Sequence, residues 1–199
     1  MRGRREALLE TLKRSAVGLK RAGIPFALAG GCAVYARGGP GSEHDVDFAV
    51  RPEDAGQAAE ALAAAGFEIR HPPEDWLIKA YDEDRFVDLI FRIAGHPVTV
   101  ELLDRADMIY VESVEMPVLP ATDLLAGLLL ALSDHNCNLA KPLAAARIMR
   151  EQVDWPRLRE EVEHHPFAYA FLVLLERLGV LSLGGDTSQA VAAGGLRGA

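Results

Sequence analysis

Residues 26–50 read FALAGGCAVYARGGPGSEHDVDFAV. An apolar run ends in Gly30-Gly31, a short amphipathic segment follows, and a turn rich in Gly and Pro leads into a second apolar run through His44-Asp45-Val46-Asp47-Phe48. Side chains alternate along a strand, so Asp45 and Asp47 point to the same side. Two carboxylates there pack badly but make a ready pair of oxygen ligands for a divalent cation. Glycines at 30 and 31 leave backbone N–H groups open to a phosphate. A helix expected to begin at Cys32 adds its N-terminal field in the same direction.

A third carboxylate would complete a two-metal clamp. The candidate is Asp88 in RFVDLIF, residues 85–91, a charge inside an otherwise apolar run. A lone buried carboxylate there would be costly. Asp88 shares a face with Phe86 and Ile90, and would face the Asp45/Asp47 pair if the two strands are neighbours. Taken singly, paired aspartates at a strand end read as a solvated edge and a GG pair as a turn. In this order, with a strand–helix–strand setting, they point to a metal–phosphate site.

Gly30-Gly31, then Asp45-x-Asp47 after a short helix, then a distal Asp88 on a strand, resembles the nucleotidyltransferases of the DNA polymerase beta superfamily. The resemblance covers residues 24 to 92 firmly and the remainder loosely. It implies an α/β fold, a mixed twisted sheet flanked by helices, followed by a helical C-terminal half. It also implies that Gly30 and Gly31 hold the triphosphate of an NTP co-substrate. Asp45, Asp47 and Asp88 would hold Mg²⁺ or Mn²⁺, one of the three helping to activate the attacking hydroxyl. Ser42, just before the acidic strand, is placed to touch a phosphate. His44 is placed either to contact substrate or to lie beside the site as a hydrogen-bonding partner.

With 199 residues, half of them hydrophobic, the chain can bury a sizeable core. Three segments are expected: an α/β core with an N-terminal helix over residues 1–120, a helical bundle over 121–181 packed against the site, and a flexible tail over 182–199. Cys32 and Cys137 are too few for a disulfide scaffold and read as free thiols in a reducing compartment. The start, MRGRREALLE, has no uninterrupted apolar region of a signal peptide. No stretch reaches the ~18 apolar residues of a membrane span. A soluble, cytoplasmic protein with no membrane partner is expected.

A net charge of -8 argues against a general nucleic-acid coat. Basic residues nevertheless cluster at Arg2, Arg4, Arg5, Lys13, Arg14, Lys20 and Arg21, and again at Lys141, Arg147, Arg150, Arg157 and Arg159. These are either two patches that guide an RNA end or the solvated faces of helices.

Along the chain, apolar positions at helical spacing predict a helix over 4–22, stopped by Gly23. Strands are expected over 25–29 and 46–50, with a helix over 32–37 between them. Pro52, Glu53 and Asp54 open a helix through Ala65. A strand follows over 67–70, then a hairpin of 76–81 and 85–93 turning at Asp82-Glu83-Asp84. Residues 98–103 are short and apolar, and 106–120 read as a strand pair. Thr122 or Asp123 is expected to cap a buried helix reaching 131 or 133. Lys141 should stand just before a helix, Asp154 should cap another, and a last helix should span 167–178. His164 and His165 lack the companions of a metal site and read as loop residues.

The helical half is similar to bacterial nucleotidyltransferase toxins of the abortive-infection and mycobacterial type. That likeness implies a nucleotide-facing lysine, matched by Lys141, and an aspartate at a later helix start, matched by Asp154. Lys141 would balance triphosphate charge. Asp154 would orient that lysine or simply cap its helix. Where relatives carry a lysine and an arginine in the helix of 122–133, this chain has Gly127, with His135 and Asn136 nearby. The likeness implies NMP transfer to the 3′ end of tRNA, translation arrest and a cognate antitoxin. Aminoglycosides or lincosamides, a protein hydroxyl, and a non-catalytic binding protein on the same scaffold are the alternatives.

Overall fold

The structure is a computed structural model that describes residues 2–42 and 45–181. His44 and the tail beyond 181 lie outside the described residues. The chain opens with α1 (Arg2–Arg21), whose Leu8, Leu12, Ala16 and Leu19 form one fully buried stripe. Gly23, at φ 68°, turns the chain into β1 (Phe26–Ala29). Then come α2 (Gly30–Ala36) and β2 (Asp45–Val50). A 3-10 turn at Pro52–Asp54 precedes α3 (Ala55–Ala64), so the predicted helix over this stretch starts tighter than expected. Next are β3 (Glu68–Arg70), the hairpin arms β4 (Leu77–Asp82) and β5 (Arg85–Ile90), and two short strands, β6 (Arg92–Ile93) and β7 (His96–Pro97).

The apolar stretch near residue 98 is in part a helix, α4 (Val100–Asp104), capped by Thr99, whose side chain accepts from the Leu102 N–H at 3.3 Å. A strand pair, β8 (Asp107–Val111) and β9 (Val114–Val118), leads into α5 (Ala121–Leu130), α6 (Ala140–Ile148), α7 (Trp155–Val162) and α8 (Pro166–Arg177). None of the helices among the described residues is long and apolar enough to cross a membrane.

Seven strands form one mixed sheet in the order β3-β4-β5-β2-β1-β9-β8. β1 is antiparallel to β2 and entirely buried, while β2 runs parallel to β5. Val46, Phe48, Ala80, Val87 and Leu89 are fully buried on the face that α1 and α3 cover. α2 lies against β1 and β2, with Gly30 directly over Asp47. One cluster of buried side chains includes Leu28 and Phe48 of the sheet together with Leu125, Leu158 and Phe171 of the later helices, so a single core runs to both sides of residue 120.

Two polar knots clamp the parts together. Arg37 donates to the Leu119 carbonyl at 2.8 Å and to Asp107 Oδ2 at 2.6 Å, while Gln152 Nε2 donates back to the Arg37 carbonyl at 3.1 Å. Asp123 accepts from Arg105 at 2.6 Å and from Arg157 at 2.7 Å. Asp123 therefore does not cap α5; Pro120 holds the N-cap position. Thr122 does not cap it either. Its buried hydroxyl accepts the Asp154 N–H at 2.9 Å, an inter-helix bond that local sequence does not reveal.

Candidate active site

The site grows from strand register. β2 and β5 are parallel with Asp47 opposite Asp88 and Asp45 opposite Phe86. Residues directly opposite on neighbouring strands share a face. The ligand oxygens of Asp45, Asp47 and Asp88 accordingly lie within 4.8 Å of one another. Asp88 is buried and the two β2 aspartates are half-buried. The expectation that Asp88 joins the Asp45/Asp47 side is met by this pairing.

α2 starts at Gly30 rather than at Cys32, so the glycine pair forms its first turn. Gly30 adopts φ 55°, and a Cβ built on it would stand 1.8 Å from Asp47 Oδ2. Only a residue with no side chain allows the carboxylate to lie there. The Gly31 N–H favours the ionised form of the Asp47 carboxylate. A Cβ on Gly31 would meet Ser42 Cβ at 2.9 Å, so this glycine makes room for the turn before β2. Ser42 uses its hydroxyl on Asp45: Oγ donates to Oδ1 and accepts the Asp45 N–H at 3.3 Å. Cys32 Sγ, buried behind the site, reaches the Asp45 carbonyl at 3.5 Å.

Charge crowding is the electrostatic signature of the cluster. Burial, then the charges of Asp45 and Asp88, push Asp47 up to about 7, against the opposing pull of Lys79 and the Gly31 N–H. Burial also raises Asp88, with Lys79 pulling the other way. Three converging carboxylates of this kind fit a hard divalent cation, which takes oxygen donors and favours their charged forms.

Lys79 is the residue that sequence reasoning missed. Its Nζ donates to both oxygens of Asp88, at 2.8 and 2.9 Å. The signal was present: Asp82 pairs with Arg85 across the hairpin turn, and counting back places Lys79 opposite Asp88.

The helical half contributes less directly. Lys141 is an exposed residue inside α6, one position after its start, rather than just before the helix. Asp154 caps α7, with Oδ1 accepting the Arg157 N–H at 3.1 Å. Among the described residues, no hydrogen bond or ion pair joins Lys141 to Asp154, or either of them to the triad. His165 caps α8 through Nδ1, which accepts the Ala168 N–H at 3.2 Å.

Residues 1–179 match a family described as an uncharacterised nucleotidyltransferase. No curated protein sequence matches the chain. Among solved structures, the solution structure of the antibiotic-resistance factor ANT(2'')-Ia aligns with a TM-score of 0.62 at 12% identity, covering 87% of this chain and 98% of that one. A crystal structure of ANT(2'')-Ia in complex with adenylyl-2''-tobramycin aligns with a TM-score of 0.51 at 14% identity, covering 86% and 93%. An antigenic nucleotidyltransferase-like protein from Paracoccidioides brasiliensis aligns with a TM-score of 0.50 at 14% identity, covering 84% and 93%. At these identities the likeness is one of fold.

Proposed function

We propose that this chain, which belongs to the nucleotidyltransferase family its residues 1–179 match, transfers a nucleoside monophosphate from an NTP to the hydroxyl of a small cationic acceptor, using the Asp45/Asp47/Asp88 cluster. The observation that carries the site assignment is the register of β2 on β5, which gathers three carboxylates where Gly30 leaves room for them.

In this reading Asp45 and Asp47 hold the divalent cations, Mg²⁺ or Mn²⁺, and Asp88 completes the set. When bound, the metal supplies Lewis-acid stabilisation of the charge that builds on the phosphoryl oxygens. The chain's own residues do the rest. Ser42 fixes the Asp45 carboxylate, and the Gly31 N–H fixes that of Asp47. Asp88 takes the proton of the acceptor hydroxyl as its oxygen bonds to the α-phosphorus and the bond to the bridging oxygen breaks, releasing pyrophosphate. Gly30 and Gly31 border the triphosphate, and Lys141 balances its outer charge from α6. Asp154 keeps the nearby α7 start in place.

Charge supports a small cationic acceptor. The chain carries a net -8. Many of the basic residues that would form an RNA track are held within the chain. Arg14 is on Asp82 at 2.9 Å, Lys20 on the Glu115 carbonyl at 2.7 Å, Arg150 on Glu151 at 2.7 Å and Arg157 on Asp123 at 2.7 Å. A polyhydroxylated amine such as an aminoglycoside suits an acidic site. The ANT(2'')-Ia complex contains an adenylylated tobramycin. The second reading is the 3′ end of tRNA, with a cognate antitoxin as partner. Lys141 and Arg147 of α6, exposed and without an ion pair among the described residues, favour it.

The test is label transfer. The protein and an Asp45→Ala/Asp47→Ala control are incubated with Mg²⁺ and each α-labelled NTP in turn. Acceptors are aminoglycosides, lincosamides and total tRNA in separate reactions. Label on a small antibiotic that vanishes in the control is the expected result. Label on tRNA moves the assignment to the second reading. No transfer to any acceptor, from protein that binds NTP, overturns both.

A further inference from the structure

Lys79 lies across the hairpin from Asp88 and grips both of its oxygens. Its ammonium also stands 4.3 Å from the centre of the Phe86 ring, on the same sheet face. Among the described residues no other cationic side chain is ion-paired with Asp45, Asp47 or Asp88. The Asp88 side chain is only 10% exposed, while that of Lys79 is 23% exposed. The lysine thus has a way out toward solvent that the aspartate lacks.

This arrangement conflicts with cation binding at Asp88. A metal needs an Asp88 oxygen, and an ammonium bonded to both oxygens competes for the same lone pairs and repels a second positive charge. A lysine on a flexible four-carbon stem can leave if another anion receives it. A nucleoside triphosphate entering over the cluster is such an anion.

We propose that Lys79 is the built-in counter-ion of the metal-free cluster, holding Asp88 until a nucleoside triphosphate arrives, so that the cation at Asp88 binds together with the nucleotide and not ahead of it. The proposal rests on the metal–nucleotide reading of the cluster. Lys79 acts through Asp88 and is a positioning residue. Metal and nucleotide then tighten each other's binding by the same factor, because the linkage is reciprocal. The physical consequence is that divalent cation alone leaves the site unassembled.

The probe is Mn²⁺, read by the paramagnetic resonance of the free ion, with the full chain and no nucleotide. The wild type should bind Mn²⁺ weakly. Lys79→Met and Lys79→Gln should both bind it at least about fivefold more tightly, the lower end of ordinary coupling factors. Lys79→Arg, which keeps the charge, should resemble the wild type. Gln retains a hydrogen bond to Asp88 and keeps the comparison valid should Met disturb the sheet. In a second readout, Mn²⁺ should tighten binding of a non-hydrolysable, fluorescent ATP analogue strongly in the wild type and much less in Lys79→Gln. Equal Mn²⁺ affinity in the wild type and both neutral variants, with the nucleotide effect intact, overturns the proposal and leaves the metal reading standing. Undiminished Mn²⁺ and analogue binding in Asp45→Asn/Asp47→Asn overturns the metal reading itself, whatever Lys79 does.

Discussion

Gly30 and Asp47 share a space that a single methyl group would fill: a Cβ at position 30 would stand 1.8 Å from Asp47 Oδ2 and 2.6 Å from its carboxyl carbon. The same glycine has φ 55°. Gly30→Ala therefore meets two penalties, a left-handed backbone costing about 1–2 kcal/mol for a residue with a Cβ and the displacement of a carboxylate whose β2 backbone is fixed in mid-sheet. The variant should unfold at clearly lower urea and bind nucleotide at least about tenfold more weakly. Gly31→Ala, whose Cβ meets only the turn at Ser42, should lose less stability. Urea midpoints for both, equal to the wild type, would remove the steric argument.

A pH dependence of stability follows from Asp47. Unfolded, its carboxyl ionises near 4; folded and metal-free, burial and the charges of Asp45 and Asp88 hold it up to about 7. Between those values the folded state retains a proton that the unfolded state has lost, so stability falls as pH rises and levels off above about 7. Asp47→Asn cannot ionise and escapes this loss. In EDTA, the difference in Tm between Asp47→Asn and wild type should grow in favour of the variant from pH 4 to 7 and then stay constant. A difference independent of pH would contradict the crowding of the three carboxylates.

The two cysteines should separate cleanly in reactivity. Burial, with the charges of Asp47 and Asp45 adding to it, pushes the Cys32 thiol up to about 12, while Cys137 is exposed. At pH 8 a thiol with that value is about one part in ten thousand thiolate, and the thiolate is the reactive form. A disulfide reagent should titrate one thiol rapidly in native protein and two in denaturant. Rapid modification of both in the native state would show that the α2–β2 junction opens readily.

Much of this site is legible in the sequence because its geometry is local. Alternation puts Asp45 and Asp47 on one face, and the apolar runs on either side of Asp88 mark a neighbouring strand. Lys79 stays hidden when each hairpin arm is read by itself. Pairing Asp82 with Arg85 across the turn would have placed it opposite Asp88. Other partners have no local trace. Whether Thr122 caps its own helix or receives the Asp154 N–H depends on where α7 packs, 32 positions later. Asp154 reads as an N-cap from its Asp-x-Pro setting, and the structure uses it so. An orienting role toward Lys141 is implied by the likeness alone, and among the described residues no bond joins the two.

Asp123 gives the sharpest test of how the later helices are held. Its side chain is 8% exposed, and it accepts from Arg105 of the α4–β8 link at 2.6 Å and from both Arg157 nitrogens at 2.7 and 3.2 Å. It thereby ties α5 to α7 and to the segment ahead of β8. Asp123→Asn keeps the shape but loses the charge, leaving Arg105 without its carboxylate and Arg157 with only Glu161, at 3.7 Å. Hydrogen bonds to charged groups contribute about 1.5–3 kcal/mol each where shielded. The arginines are 43% and 35% exposed, which lowers the expected loss to about 2 kcal/mol in all. Arg157→Met should cost less, since Arg105 remains on Asp123. In a double-mutant cycle the Asp123→Asn and Arg157→Met losses should fall short of additivity by at least about 0.5 kcal/mol. Additive losses, or an Asp123→Asn protein as stable as the wild type, would mean that apolar packing of α5 against α7 holds this half unaided.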